Sequence, residues 1–135
     1  FNDYDDLNRI SLKRSILIGG GSKPGPSSDF DAALLAKHFG STGILSMKDV
    51  DGVYSSDPDK DANATMLHSL TWEEYQKIIG ATLLHSPGGN LPVDPIASKY
   101  CNENNLSFYI FDGKNSEALK KALDGDYSIG SLISN

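Results

Sequence analysis

Four short apolar runs, RSILI at 14–18, GILSM at 43–47, LSFYIF at 106–111 and GSLIS at 130–134, alternate with stretches whose apolar residues recur at helical spacing. Runs this short, bounded by glycine or polar turn residues, have the length of buried strands and not of helices. Between them a helix is expected over 29–39, where Phe30, Ala33, Leu34 and Phe39 form the apolar pattern and Gly40 supplies a stop. Thr71 followed three residues later by Glu74 has capping-box spacing, so a second helix opens there and Gly80 is expected to close it. The interval 82–94 reads as irregular. Pro95 opens a third helix to about Asn104, with Asp94 as its cap. SEALKKAL at 116–123 reads as a surface helix with a Glu117–Lys121 pair and Gly125 after it. Strands separated by such helices predict an α/β fold, a mostly parallel sheet with helices packed on its faces. Ligands of such sheets collect at the carboxyl ends of the strands.

The chain of 135 residues suits a single domain over 1–135, and 39% hydrophobic content is enough for a core. A formal net charge of −6 argues against a nucleic-acid partner or a basic membrane patch, both of which need clustered Lys and Arg. Cys101 is the one cysteine, which leaves no intrachain disulfide. In the polar setting KYCNENN, without a neighbouring histidine, it reads as a structural thiol. No apolar run approaches the ~18 residues of a membrane span, and a soluble, cytoplasmic chain is expected. His38, His68 and His85 show no metal-ligand spacing, so no metal-binding residues are assigned.

The first strand runs into GGGSKPGPSSD, residues 19–29, directly before a helix. Gly19, Gly20, Gly21 and Gly25 allow a sharp turn and close approach of a ligand to main-chain amides. Ser28 with Asp31 three residues later reads as the N-cap of a capping box. A helix N-terminus offers unpaired N–H groups and partial positive charge, which suits a phosphate, and Ser22, Lys23, Ser27 and Ser28 can add donors. The same composition also suits a capped connection without a ligand, and spacing does not choose between the two. Neither the P-loop nor the dinucleotide fingerprint is present, since Pro24 stands where the latter needs its third glycine.

The loop KDVDGVYSSDPDKDANA at 48–64 holds aspartates at 49, 51, 57, 59 and 61. A calcium loop fails on register: counted from Asp49 the glycine falls two positions early, and counted from Asp57 His68 stands where the bidentate Glu belongs. Asp51-Gly52 and Asp57-Pro58 read as tight turns.

Taken together, GGGSKPGPSSD, VDGVYSSDPDKDANA and LPVDPIASK resemble, in that order, the uridylate (UMP) kinases of the amino-acid-kinase superfamily, and the archaeal type most of all. The resemblance covers nearly the whole chain and implies a three-layer αβα fold with a mostly parallel sheet. It implies ATP-dependent phosphorylation of UMP to UDP with Mg²⁺ accompanying ATP. UMP is then held by Ser22, Lys23, Pro24, Gly25, Pro26, Ser27 and Ser28, with serines at 27 and 28 where the family usually has threonines. ATP is held by Lys48, Asp49, Tyr54 and Asp57, with Lys48-Asp49 standing where related chains usually have Thr-Asn. Asp94 is the candidate catalytic residue near the transferring phosphoryl group, a role compatible with capping the helix at Pro95. The family's opening glycine-rich segment, which cradles the ATP phosphates, has no counterpart here, so the chain resembles the C-terminal half to three-fifths of a kinase. The resemblance therefore implies a lobe, or a partner chain, that supplies the remainder, and a homo-oligomer, often a hexamer. Molybdenum-storage proteins share the scaffold and offer a second reading, non-catalytic anion or metal storage.

Overall fold

The structure, a computed structural model, describes residues 19–20, 27–85 and 91–135. The strand expected at 14–18 and the turn residues 21–26 lie outside the described residues. In chain order the elements are α1 (Ser28–His38), β1 (Gly43–Lys48), β2 (Val53–Tyr54), β3 (Met66–Leu67), β4 (Ser69–Thr71), α2 (Trp72–His85), α3 (Pro95–Glu103), β5 (Ser107–Asp112), α4 (Ser116–Leu123) and β6 (Ser131–Ser134).

The helix ends follow from their sequences. Thr71 and Glu74 close the expected capping box: Thr71 N–H donates to Glu74 Oε2 at 2.7 Å and Glu74 N–H to Thr71 Oγ1 at 3.2 Å. The backbone N–H of Thr71 and its hydroxyl together hold the Glu74 carboxyl below the usual carboxylate range. Three helices stop alike, in the Schellman pattern, with a left-handed residue just past the cap: Gly40 (φ +71°), Asn105 (φ +53°) and Gly125 (φ +84°). The residue after each donates back to the helix, Ser41 N–H to Ala36 O at 2.8 Å, Leu106 N–H to Cys101 O at 3.0 Å and Asp126 N–H to Lys121 O at 2.8 Å.

Two expectations are corrected. Gly80 does not close α2, which runs on to His85 and takes in part of the interval read as irregular. Its φ is not positive, so it forms no C-terminal cap, and burial of Trp72, Tyr75 and Ile79 on the helix's inner face outweighs the propensity cost of an interior glycine. The cap of α1 is Ser27 and not Ser28: Ser27 Oγ accepts from Phe30 N–H at 3.1 Å, while Ser28 is the first helical residue and exposed.

The principal sheet has the order β1-β5-β6-β4, with β1 parallel to β5, β4 parallel to β6, and β5 antiparallel to β6. Parallel strands buried on both faces read as continuous apolar runs, and β5 does so: Phe108, Tyr109, Ile110 and Phe111 are all buried. Alternate residues serve opposite faces. Phe108, Ile110 and Ile133 pack with Ala33, Trp72, Tyr75, Val93, Ala97 and Cys101 under α1, α2 and α3. Tyr109 and Phe111 pack with Ala118 and Ala122 of α4 on the other side. The result is three layers, helices on both faces of a mostly parallel sheet.

Buried polar groups are paired. Trp72 Nε1–H donates to Leu106 O at 2.8 Å, and the Tyr75 hydroxyl donates to Val93 O at 2.6 Å while accepting from Val93 N–H at 2.7 Å. At the start of β6 the backbone approaches β5 so closely that a Cβ on Gly130 would lie 2.1 Å from Ile110 O. Gly130 N–H donates there to the buried Tyr109 hydroxyl at 2.9 Å, and His68 Nδ1 meets Gly130 O at 3.1 Å.

Two glycines should therefore respond oppositely to alanine. Gly130→Ala drives a methyl into backbone and is expected to destabilise by about 2 kcal/mol or more. Gly80→Ala meets nothing within 4 Å and is expected to stabilise by about 0.5–1 kcal/mol through helix propensity. Urea unfolding midpoints check both. Cys101 is fully buried and its thiol is pushed up to about 12, first by burial and then by the charges of Asp29 and Asp94. It should resist thiol reagents at pH 8 in the folded chain and react only on unfolding. The stability tied to this thiol is complete below its ordinary ionisation near 9.0 and is lost as the pH rises through the folded value.

Candidate functional site

The carboxyl ends of parallel β1 and β5 open on one side of the sheet, and two helices point their N-termini there. Ser27 caps α1 in an extended conformation (φ −75°, ψ 160°), and Asp94 caps α3 in nearly the same one (φ −68°, ψ 156°). Asp94 Oδ1 accepts from Ile96 N–H at 2.9 Å and Ala97 N–H at 3.0 Å. Its other oxygen, Oδ2, accepts the Ser27 hydroxyl proton. One hydrogen bond thus joins two caps that are 67 residues apart in sequence. The amides of Ser28 and Asp29, in the first turn of α1, have no intrahelical carbonyl to donate to.

Lys48, the last residue of β1, reaches the same place. Its Nζ lies 2.6 Å from Asp29 Oδ1, with side chains 22% and 11% exposed. The charges of Asp29 and Asp94 are close enough to the core to help raise both Tyr75 and Cys101, after burial. The pairs Ser27–Asp94 and Asp29–Lys48 thus meet on the same first turn of α1, a cluster built from α1, β1 and the cap of α3.

The acidic loop begins where β1 ends, and its first residues are pinned at two points. Gly113 N–H donates to Lys48 O at 2.8 Å, and Val53 N–H to the buried Ser131 Oγ at 2.8 Å. Val53–Tyr54 then pairs antiparallel with Met66–Leu67, closing a two-stranded ribbon. Within it Asp57 accepts from Asp59 N–H at 3.1 Å and lies 2.9 Å from Lys60 Nζ. The Lys60 ammonium first, and the Asp59 amide second, hold its carboxyl below the usual range. Asp61 is likewise lowered by the Ser56 hydroxyl and the Asn63 amide. The Tyr54 hydroxyl donates to Asp51 Oδ2 at 3.0 Å, and its ionisation is raised by burial and then by that carboxylate. Tyr54 is half-buried, while Asp49 and Asp57 are exposed.

The structure thus brings Ser27, Lys48 and Asp94 together, with Ser28 exposed on the same turn. Lys48 is paired on the α1 side, with Asp29, whereas Tyr54 pairs with Asp51 and Asp57 with Lys60. Ser22, Lys23, Pro24, Gly25 and Pro26 lie outside the described residues. Sequence reasoning missed Asp29 and Ser131. Asp29 was visible as an acidic first-turn residue, but its partner lay 19 positions away; Ser131 carried no local signal. Two open hollows, of about 320 Å³ (Leu67, Ser69, Leu70, Glu74, Lys77, Ile78) and about 230 Å³ (Thr71, Trp72, Glu73, Asn102, Asn135), contain none of these site residues. Among the described residues no helix is long and apolar enough to cross a membrane.

The model of the amino acid kinase family matches residues 5–112. The uridylate kinase of Methanothrix thermoacetophila is 32% identical over 124 residues, covering 92% of this chain and 55% of that protein. The uridylate kinase of Methanococcoides burtonii is 37% identical over 110 residues, covering 82% and 47%. The crystal structure of uridylate kinase from Archaeoglobus fulgidus superposes with a TM-score of 0.70 at 31% identity, over 85% of this chain and 50% of that one. The chain spans about half the length of the curated relatives it matches. Sheet, layers and matched residues agree: the chain belongs to the amino acid kinase family.

Proposed function

We propose that residues 1–135 form the nucleotide-binding C-terminal part of a uridylate kinase, which moves the γ-phosphoryl group of ATP onto UMP. The single observation that carries this reading is the joining of the α1 and α3 caps through Ser27 and Asp94 at the carboxyl ends of the sheet. Oriented amides and hydroxyls at such a point are suited to a phosphate. The uridylate kinase names of the relatives supply the acceptor. In the transfer, a UMP phosphate oxygen forms a bond to the γ-phosphorus as the bond to the β,γ-bridging oxygen breaks and ADP leaves. Such chemistry depends on positioning and charge stabilisation more than on covalent help from the protein.

The turn through Ser22, Lys23, Pro24, Gly25, Pro26, Ser27 and Ser28 holds UMP in this reading. Asp94, whose Oδ1 and Oδ2 are both engaged by donors, orients Ser27. On the donor side Tyr54 offers a ring face to the base, Asp57 accepts from ribose hydroxyls, and Asp49 and Lys48 line the phosphate end. Among the described residues no group of three His, Cys, Asp or Glu could cage a metal. These residues fit Mg²⁺ only as the companion of the ATP phosphates, with the exposed Asp49 as a nearby carboxylate. Bound in that way, Mg²⁺ neutralises developing phosphate charge. The remaining phosphate-cradling residues come, in this reading, from a further lobe or partner chain in a cytoplasmic homo-oligomer. No observation favours the storage reading.

Calorimetric titration tests the assignment. UMP and Mg·ATP should each bind the wild-type chain. Asp57→Asn should weaken ATP by roughly tenfold, because a neutral amide replaces the charged acceptor of the ribose hydroxyls, and should leave UMP unchanged. Ser27→Ala should lower stability by about 1 kcal/mol and weaken UMP, whereas Ser28→Ala should weaken UMP with stability intact. A folded chain that binds neither nucleotide would overturn the proposal.

A further inference from the structure

The acceptor side presents a charge problem. Asp29 and Asp94 both stand at the helix N-termini where a phosphate would sit, and two carboxylates repel a third anion. Asp94 is engaged by two amides and a hydroxyl, all uncharged donors. Asp29 is instead met by an ammonium, Lys48 Nζ at 2.6 Å. Lys48 ends β1, the strand whose carboxyl end opens on the site, and its side chain keeps 22% of its surface exposed. A lysine carries three donor hydrogens and its ammonium turns freely on a flexible stem. The bond to Asp29 uses one of them, and among the described residues the other two remain to serve a ligand.

We infer that Lys48 is a phosphate-positioning residue of the acceptor side: parked on Asp29, it cancels that carboxylate's charge and turns its remaining donors to the phosphate of a nucleoside 5′-monophosphate at the N-terminus of α1. This deepens the nucleotide-binding reading and rests on it. It moves Lys48 from the ATP side, where the resemblance puts it, to the junction between acceptor and donor. The ammonium recognises the phosphate and not the base or ribose, so its contribution separates UMP from uridine. Asp29 limits the reach of the side chain, which keeps the charge at α1.

The test compares UMP with uridine, in the full chain at two ionic strengths, by calorimetry. Lys48→Met should weaken UMP by roughly tenfold or more, flatten the salt dependence of UMP binding, and leave uridine affinity unchanged. Lys48→Arg, which keeps the charge, should restore most of the UMP affinity. Because Lys48→Met leaves Asp29 without its cation, the pair Asp29→Asn with Lys48→Met serves as a folded, charge-balanced control and should show the same loss. An unchanged ratio of UMP to uridine affinity in both variants, beside a lowered unfolding midpoint in the single variant, would assign Lys48 to fold stability alone and overturn the inference. A wild-type chain that binds no UMP removes the nucleotide reading itself, and this inference with it.

Discussion

The hydrogen bond from the Ser27 hydroxyl to Asp94 is the constraint on which the arrangement turns. Each group already has a local task, capping its own helix. By using its second oxygen on Ser27, Asp94 fixes α3 relative to α1. Ala33 and Ala36 on one helix and Ala97, Ser98 and Cys101 on the other are buried behind that bond. Small residues on both helices let the axes approach, and Phe30 meets Tyr100 edge to face at 5.5 Å between ring centres beside them. Breaking the bond would leave the partly buried Ser27 hydroxyl and Asp94 Oδ2 to find other partners.

The sheet then determines what can stand next to that point. β1 and β5 run toward the caps, while β6 and β4 run away from them. The reversal brings the start of β6 to the same end as the finish of β1. Ser131 at that start can therefore reach Val53 and hold the acidic loop against the sheet. Gly130 makes the reversal possible, since no side chain fits against Ile110 O. The start of the loop is thus anchored to the sheet, and the part between Tyr54 and Met66, closed by the β2–β3 ribbon, is organised by its own aspartates, with Asp57 and Asp61 accepting from amides two residues on. Such turns need no packed core, because side-chain acceptors satisfy their backbone amides locally.

Much of this was legible in the sequence. The run SFYIF announced a buried strand through its length and β-formers, and Thr71-Glu74, Asp94-Pro95, Gly40 and Gly125 marked helix ends by local hydrogen-bond chemistry alone. Gly80 misled because a glycine stops a helix only when its backbone turns left-handed, and packing of Tyr75 and Ile79 decides that, not composition. Ser27 and Ser28 are chemically equivalent as caps, and the choice between them is made by Asp94, far away in sequence. The strands of two or three residues, Val53–Tyr54, Met66–Leu67 and Ser69–Thr71, are too short to carry a periodic signal. The site divides in the same way. Its individual donors were readable, whereas the pairing of Lys48 with Asp29 depends on how α1 lies across β1.

If an anion binds at α1 as proposed, that pairing answers a conflict general to helix N-termini. Acidic residues in a first turn stabilise the helix by opposing its dipole, and α1 carries Asp29 and Asp31 there. The same charges disfavour the ligand that the dipole would attract. The conflict can be relieved by removing the carboxylates, at a cost to the helix, or by engaging them with donors. Here the second solution is visible in two forms. Asp94 is satisfied by neutral groups that belong to the fold and do not move with a ligand. Asp29 is satisfied by a lysine on a flexible stem, a partner that can be shared. The two carboxylates of this cluster thus differ in kind: the donors of Asp94 are fixed by the fold, whereas the donor of Asp29 sits on a flexible stem and, in the proposed reading, is the one a ligand can share.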